Sequence, residues 1–174
     1  MKKSTEKRYL PEFVFGAIDG TVTTFAVVAG AIGASLSSSV ILILGFANLF
    51  ADGFSMALSD YLSVKSENEI QLKYKHKHIK NPKKMALVTF FAFVIIGIIP
   101  LIPYLFSFFT KFIDNNKFLY STLLTGAAFL IVGAVKGEVT GKYKFKSAIE
   151  TLLVGGIAAL IAFIVGYLLK GIVT

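Results

Sequence analysis

The sequence contains no cysteine and no tryptophan, and its long apolar segments hold few charged residues. Without cysteine the chain can form neither disulfides nor thiolate metal sites, so any soft metal ligand must be a methionine thioether. It also lacks a phosphate-binding glycine loop, a Gly-Xaa-Ser-Xaa-Gly nucleophile motif and a His-Glu-Xaa-Xaa-His zinc motif. These absences exclude an ATP-driven pump built from this chain alone, and we expect no enzymatic activity and no resident cofactor.

Hydrophobic residues make up 55% of the 174 residues, whereas charged residues make up 16%. They concentrate in five segments of at least about 20 residues, the length that crosses a hydrocarbon core of about 30 Å. The segments span residues 13–36, 39–64, 85–109, 117–136 and 147–170. The sequence therefore predicts an all-α integral membrane protein with five transmembrane helices, in which residues 1–174 form a single transmembrane domain.

Basic residues define the predicted orientation of these helices. Of the 18 lysines and arginines, all but Lys111, Lys117 and Lys170 lie in the N-terminal tail, after the second segment or after the fourth. Because lysine and arginine concentrate on the cytoplasmic side, we expect the N-terminus to be cytoplasmic and the C-terminus to lie outside.

A net charge of +8 would also suit nucleic acid. The lysines do not line one soluble face, however, so we expect no nucleic-acid partner.

Several local signals predict how the helices end and pack. Pro100 and Pro103 should kink or end the third helix, because proline removes a backbone donor. Residues 65–84 form a short basic loop, whose SENEIQLKYKHKH stretch could extend the second helix. Small residues at helical spacing predict close helix packing within the bundle or across a dimer. These pairs are Gly16 and Gly20, Ala26 and Gly30, Gly133 and Gly137, and Gly137 and Gly141.

Two segments carry aspartates that a lipid-facing helix tolerates poorly. Asp19 lies inside GAIDGTVTTFAVVAG, and Asp52 lies inside ANLFADGFSMALSDYLSVKSE. A charge at the centre of a transmembrane helix costs about 2.5–3.5 kcal/mol on insertion scales, so such residues normally face a polar path. On a helical projection the second segment has one polar face, with Met56 just beside it. That face contains Asn48, Asp52, Ser55, Ser59 and Ser63.

The depths of these residues predict a metal site. With a rise of 1.5 Å per residue, Asp19 and Met56 both lie roughly 7 Å to the cytoplasmic side of the bilayer centre. Asp52 falls near the midplane, and Asn48 lies one turn further out. Carboxylates combined with a thioether favour Fe²⁺ over Mg²⁺ or Ca²⁺. Asp19 and Asp52 could also take up protons when the metal leaves, as coupled exchange requires.

Structural roles remain open for each of these residues. Asp19 and Asp52 could be hydrogen-bond anchors for serine and threonine hydroxyls, and Met56 could simply pack in the core. Lys136 could form an ion pair with Glu138. Three further carboxylates near the predicted cytoplasmic interface favour an interfacial or structural role: Asp60, Glu138 and Glu150. His76 and His78, two apart in the lysine-rich loop, are only a weak metal signal.

Five motifs occur in order along nearly the whole chain: FVFGAIDGTVTTFAVVAG, ADGFSMALSDYLSVKSE, IPLIPY, VKGEVTG and ETLLVGGIAALIAFIVG. Together they resemble the vacuolar iron transporter family. The resemblance implies a homodimeric five-helix transporter that exports cytosolic Fe²⁺, and often Mn²⁺, in exchange for protons along a pathway at the dimer interface. It also implies that the aspartate of the first motif and the methionine of the second, here Asp19 and Met56, line that pathway.

The chain departs from the family pattern in two places. Plant members carry a glutamate where this chain has Asn48, and Asp52 could supply the carboxylate instead, as in the yeast-type branch. Plant members also have long cytosolic helices that collect metal between the second and third segments. Residues 65–84 are too short for such a domain, so we expect it to be missing. Glu67 and Glu69 are the weaker candidates for a cytoplasmic entrance.

Two other functions remain open. The chain could be a non-transporting membrane interaction protein, in which the aspartates and small residues only assemble a bundle. It could also be a transporter of the same architecture for another cation. The short loop, the abundance of lysine and isoleucine and the lack of tryptophan favour a prokaryotic cell membrane over a vacuole. The expected partners are divalent metal ions, protons, membrane lipid and a second copy of the chain.

Overall fold

The computed structural model describes the backbone of residues 2–74 and 80–173, and the side chains of residues 9–74 and 80–172. Helices and one short 3-10 turn make up the regular structure of this part of the chain. In chain order they are α1 (Lys2–Gly33), α2 (Ser38–Lys73), α3 (Pro82–Gly97), the 3-10 turn Ile99–Leu101, α4 (Ile102–Ser107), α5 (Lys111–Asp114), α6 (Lys117–Thr140) and α7 (Lys144–Val173).

Five helical stretches of the described residues are long and apolar enough to cross a bilayer, which confirms the predicted all-α membrane fold. They are Tyr9–Gly33, Ser38–Lys73, Pro82–Ser107, Lys117–Thr140 and Lys144–Ile172. The second has 36 residues, which corresponds to roughly 54 Å of helix and exceeds the hydrocarbon thickness. Residues 65–73, which the sequence places in the loop, continue α2 because no proline or glycine interrupts them.

The third crossing is broken where Pro100 and Pro103 predict a kink. Helix α3 ends at Gly97, a single 3-10 turn follows, and α4 resumes at Ile102. Pro100 has no N–H with which to continue the helical ladder. Its carbonyl oxygen instead accepts a hydrogen bond of 2.7 Å from Ser121 Oγ on α6. The break is therefore held in place by a neighbouring helix.

Helix α1 is the centre of the bundle and packs against α2, α3, α6 and α7. Small residues allow the close approach. A Cβ on Gly20 would collide with the backbone of Phe93 in α3, and a Cβ on Gly133 would lie 2.7 Å from Ala148 Cα in α7. These small residues thus pack helices against one another within a single chain.

Gly141, which the sequence pairs with Gly137 as a packing residue, has a different role. It ends α6 with a left-handed φ of 68°, and a Cβ added there would meet no atom within 4 Å. The N–H of Lys142 then donates to the carbonyl of Gly137 at 2.9 Å, which satisfies one of the last carbonyls of the helix. Glycine is favoured here by its backbone conformation, not by close packing.

Candidate functional site

Asp19 lies about halfway along α1 and is partly buried. The hydroxyl of Thr23, one turn further along α1, donates to the backbone carbonyl of Asp19 at 2.8 Å and not to its carboxylate. Among the residues that the structure describes, none forms a hydrogen bond or an ion pair with the Asp19 carboxylate. A hydroxyl anchor for this charge is therefore not found in the described part of the chain, and the carboxylate is available to a ligand.

The polar face of α2 lies on the surface of the chain. Asp52, Ser55 and Ser59 are exposed although they belong to a membrane-crossing helix. The buried side of the same stretch holds Leu49 and Gly53, and a Cβ on Gly53 would lie 3.2 Å from the Phe93 ring of α3. Because an exposed intramembrane aspartate is costly in lipid, this face needs a polar or protein neighbour that the described residues do not supply.

The bundle brings the two predicted aspartates together. The carboxylate of Asp52 acts electrostatically on that of Asp19. Helices α1 and α2 both approach α3 closely at Gly97, where an added Cβ would lie 2.7 Å from Leu49 Cδ1 and 2.8 Å from the Gly20 carbonyl oxygen. Gly20 directly follows Asp19 on α1, and Leu49 precedes Asp52 by three residues on α2. Two carboxylates so placed repel each other, and a cation bound between them removes that repulsion.

The other two predicted ligands, Asn48 and Met56, each lie one helical turn from Asp52, or about 6 Å along α2. Both are partly buried. The Asn48 Nδ2 atom is buried and has no hydrogen-bond partner within the described part of the chain. Rotation of the amide by half a turn would present its oxygen instead, which is an acceptable metal ligand. Asn48, Asp52 and Met56 thus form three successive levels of donors along one helix.

Asp60 has a structural contact. Its Oδ2 accepts a hydrogen bond of 2.8 Å from Thr89 Oγ1, and Thr89 is fully buried on α3. The bond joins α2 to α3 two turns from Asp52. This contact agrees with the interfacial or structural role that the sequence favours for Asp60.

The ion pair proposed between Lys136 and Glu138 is not formed. Lys136 Nζ lies 3.4 Å from Glu150 of α7, and Glu138 lies 3.1 Å from Lys144 Nζ. Residues two apart on a helix point to different sides, so they cannot meet across one turn. Glu138 and Glu150 are thereby occupied in contacts between α6 and α7, which fits a structural role.

Glu12 is absent from the predicted site, yet the structure places it in line with Asp19. It lies seven residues earlier on α1, and residues seven apart share one helix face. Glu12 is only 9% exposed, and its Oε2 is buried without a hydrogen-bond partner in the described residues. Its Oε1 lies 3.7 Å from Lys80 Nζ. The seven-residue spacing from Asp19 is the sequence signal that could have identified it.

The two predicted entrance carboxylates differ in their surroundings. Glu67, near the end of α2, accepts a hydrogen bond of 3.0 Å from Gln71 and lies 3.8 Å from Lys80 Nζ. Glu69 is exposed, and no ion pair to it is found in the described part of the chain. His76 and His78 lie outside the described residues. Of the two, only Glu67 shares a lysine with a second acidic residue: Lys80 lies near both Glu67 and Glu12.

Within residues 9–74 and 80–172, no three His, Cys, Asp or Glu side chains converge closely enough to hold a metal ion. The predicted ligands of one chain are two carboxylates, one thioether and one amide. A complete coordination sphere would need these mixed donors together, water, or donors from a second copy of the chain.

The VIT family model matches this chain in two parts, residues 10–78 and residues 70–167. The first match includes α1 from residue 10 onwards and the whole of α2, and hence all four predicted ligands. The chain is 28% identical to the vacuolar iron transporter of Toxoplasma gondii, over 98% of this chain and 77% of that protein. It is 30% identical to vacuolar iron transporter 1 of Eucalyptus grandis, over 87% of this chain and 83% of that protein. It is 25% identical to the vacuolar iron transporter of Plasmodium falciparum, over 95% of this chain and 84% of that protein.

Proposed function

The chain belongs to the VIT family, and we propose that it exports divalent transition metal from the cytosol, Fe²⁺ first and Mn²⁺ second, in exchange for protons. Similar proteins are named as iron transporters. The chain is accordingly a multi-pass membrane transporter and not an enzyme, and iron is its cargo and not a cofactor. One observation carries the proposal: the Asp19 carboxylate, which has no hydrogen-bond or ion-pair partner among the described residues, interacts electrostatically with Asp52, and both residues belong to membrane-crossing helices.

The working unit is a homodimer in this proposal. The exposed polar face of α2 supports it, because Asp52, Ser55 and Ser59 would otherwise face hydrocarbon. A second copy placed against this face would cover the aspartate and double the number of ligands along one path. The lack of three converging ligands in the described part of one chain also favours a site shared between two copies.

The chemistry of the donors favours a borderline metal. Asp19 and Asp52 supply hard carboxylate oxygens, Met56 supplies a soft thioether and Asn48 supplies an amide oxygen. Carboxylates alone would suit Mg²⁺ or Ca²⁺, whereas an added thioether favours Fe²⁺ over both. Met56 is therefore the residue that we expect to set the preference for transition metal.

The lack of a partner for the Asp19 carboxylate in the described residues supports the proposal of proton exchange. In the described residues no lysine forms an ion pair with the Asp19 carboxylate, and no hydroxyl donates a hydrogen bond to it. Once the metal leaves, two adjacent carboxylates in a poorly hydrated span are stabilised by binding a proton instead. Metal and proton then compete for the same aspartates, and movement of one drives movement of the other.

The proposed exporter has no soluble domain that collects metal. Two features of the sequence comparisons support this. The two family matches meet at residues 70–78, where α2 ends. The alignment with the Toxoplasma gondii protein extends over 233 positions, more than the 174 residues of the chain, so that protein has segments with no counterpart here. Metal would then be captured at the cytoplasmic end of the bundle itself.

We place the protein in a prokaryotic cell membrane, with its N-terminus in the cytoplasm. The similar proteins named above are vacuolar by name. The short connection after α2, the lack of tryptophan and the abundance of lysine and isoleucine support the prokaryotic assignment instead. In a cell membrane or in a vacuolar membrane, the proposed transporter would move metal out of the cytosol.

Purified protein in proteoliposomes tests the proposal. An Fe²⁺ or Mn²⁺ gradient should drive proton movement, and Asp19→Asn should abolish it while leaving the protein folded. Asp114→Asn is the matched control, because the one ion pair of Asp114 among the described residues is an exposed pair with Lys117. Asp114→Asn should transport at the wild-type rate.

The same assay separates the alternatives. A non-transporting interaction protein predicts that Asp19→Asn and Asp52→Asn change thermal stability but not metal uptake. A transporter of another cation predicts that Zn²⁺, Co²⁺ or Ca²⁺ outcompetes Fe²⁺ and Mn²⁺ in mixed-metal vesicles. Wild-type transport rates in Asp19→Asn would show that the proposed mechanism is wrong.

A further inference from the structure

Lys80 Nζ lies between two carboxylates at the end of the bundle where α1 begins and α2 ends. It is 3.7 Å from Glu12 Oε1 and 3.8 Å from Glu67 Oε2. Both distances exceed those of a charge-assisted hydrogen bond, which are about 2.7–2.9 Å. The ammonium group thus sits near both acids without binding tightly to either.

The backbone of Lys80 is held firmly although its side chain is not. Asn68 of α2 donates from Nδ2 to the Lys80 carbonyl at 2.8 Å and accepts from the Lys80 N–H at 3.0 Å. Asn68 is itself 9% exposed. This pair of hydrogen bonds fixes the point from which the lysine side chain extends, so its ammonium group stays close to Glu12 and Glu67.

Glu12 is the better of the two acids for holding a cation. It is 91% removed from solvent, and its Oε2 has no hydrogen-bond partner in the part of the chain that the structure describes. A buried carboxylate oxygen without a partner is costly, and Lys80 does not satisfy it. Glu12 also lies on the face of α1 that carries Asp19, about 10 Å away along the helix.

We propose that Glu12 and Glu67 form a capture position for a divalent cation, and that Lys80 is a tethered competitor which the metal must displace. This inference rests on the proposed function, because it makes Glu12 the first ligand on the way to Asp19. A divalent ion carries twice the charge of the ammonium group and can bind the unsatisfied Glu12 oxygen directly. Displacement is feasible because the Lys80 side chain is 36% exposed, and ion pairs in contact with water are weak.

The competing explanation is that Lys80 only fastens the start of α3 to α1 and α2. The two explanations predict opposite effects when the charge of Lys80 is removed. A competitor raises the KM for metal, so its loss lowers KM. If Lys80 instead holds α3 against α1 and α2, its charge maintains the structure around Glu12 and Glu67. Loss of the charge then lowers the stability of the fold and raises the KM for metal.

The test is Lys80→Gln, which keeps most of the side-chain length and removes the charge. The KM for Mn²⁺ in proteoliposome transport should fall roughly two- to fivefold, the range expected for loss of a weak ion pair. The kcat should stay at the wild-type value. Mn²⁺ binding to the detergent-solubilised full chain, measured by calorimetry, should tighten by the same factor. Lys80→Arg keeps the charge and can bind a carboxylate in a bidentate manner, so it should not lower KM.

Two controls make the result specific. Lys84→Gln removes an equal charge from an exposed residue one turn into α3, for which no ion pair is found among the described residues, and should leave KM unchanged. In a Glu12→Gln background, Lys80→Gln should have little further effect, because the buried acid for which it competes is gone.

The inference is overturned if Lys80→Gln leaves KM unchanged or raises it, or if Lys84→Gln lowers KM equally. Failure of the proposed function would look different. The wild-type protein would then not transport metal at all, whereas calorimetry of Mn²⁺ binding to wild type and Lys80→Gln would still report whether the lysine competes.

Discussion

Replacing Gly97 by alanine should separate α3 from α1 and α2. The new Cβ would lie 2.7 Å from Leu49 Cδ1, 2.8 Å from the Gly20 carbonyl oxygen and 2.9 Å from the Gly20 carbonyl carbon. The leucine can rotate away, but the Gly20 backbone cannot move unless α1 moves. Overpacking of this kind costs about 1–3 kcal/mol. The higher helix propensity of alanine returns at most about 1 kcal/mol, and less at the last residue of a helix.

The expected net loss is therefore about 1–2 kcal/mol, which for a chain of this size lowers Tm by about 2–8 °C. Circular dichroism or size-exclusion chromatography after heating in detergent would measure it, since the chain has no tryptophan for fluorescence. Gly156→Ala is the matched control on α7, because a Cβ there meets no atom within 4 Å. The reasoning is refuted if Gly97→Ala and Gly156→Ala unfold at the same temperature.

Two further substitutions test contacts around the site. Thr89→Val removes the only hydrogen bond to Asp60 found in the described residues and leaves its carboxylate without a donor, so we expect a loss of about 1–3 kcal/mol. Thr89→Ser should retain most of the stability, and equal melting of the valine variant and wild type would contradict the structural role of this bond. Gly141→Ala forces a Cβ into the left-handed region and should cost about 1–2 kcal/mol in thermal unfolding. Gly141→Asn should cost less, because asparagine tolerates this conformation, and an alanine variant as stable as wild type would argue against the helix-ending role.

The membrane fold could be predicted from the sequence because its signals are local. Each crossing is marked by the length of an apolar run, and Pro100 and Pro103 mark the break in the third. The polar face of α2 follows from helical periodicity alone, and the exposure of Asp52 and Ser55 agrees with it. None of these features depends on how distant parts of the chain meet.

The contacts at the end of the bundle could not be predicted in the same way. The contact of Glu12 with Lys80 joins residues far apart in sequence, and it depends on the hydrogen bonds by which Asn68 of α2 holds the Lys80 backbone. Neither the composition nor the helical periodicity of the sequence predicts a contact between residues on distant parts of the chain. The pairing of Lys136 with Glu150 also required knowing that α6 and α7 lie side by side.

Helix α2 is long enough that a small change in its tilt would displace its C-terminal end by several ångströms. One continuous helix joins Asp52 to Asn68 and Lys73, and the arm from Asp52 to Lys73 is roughly 30 Å long. A rigid rod of that length, pivoting by about 10° near Asp52, moves its far end by about 5 Å. A change in the tilt of α2 near Asp52 would therefore change the separation between Glu67 and Glu12 of α1, and the hydrogen bonds of Asp60 with Thr89 and of Asn68 with Lys80 resist such a change.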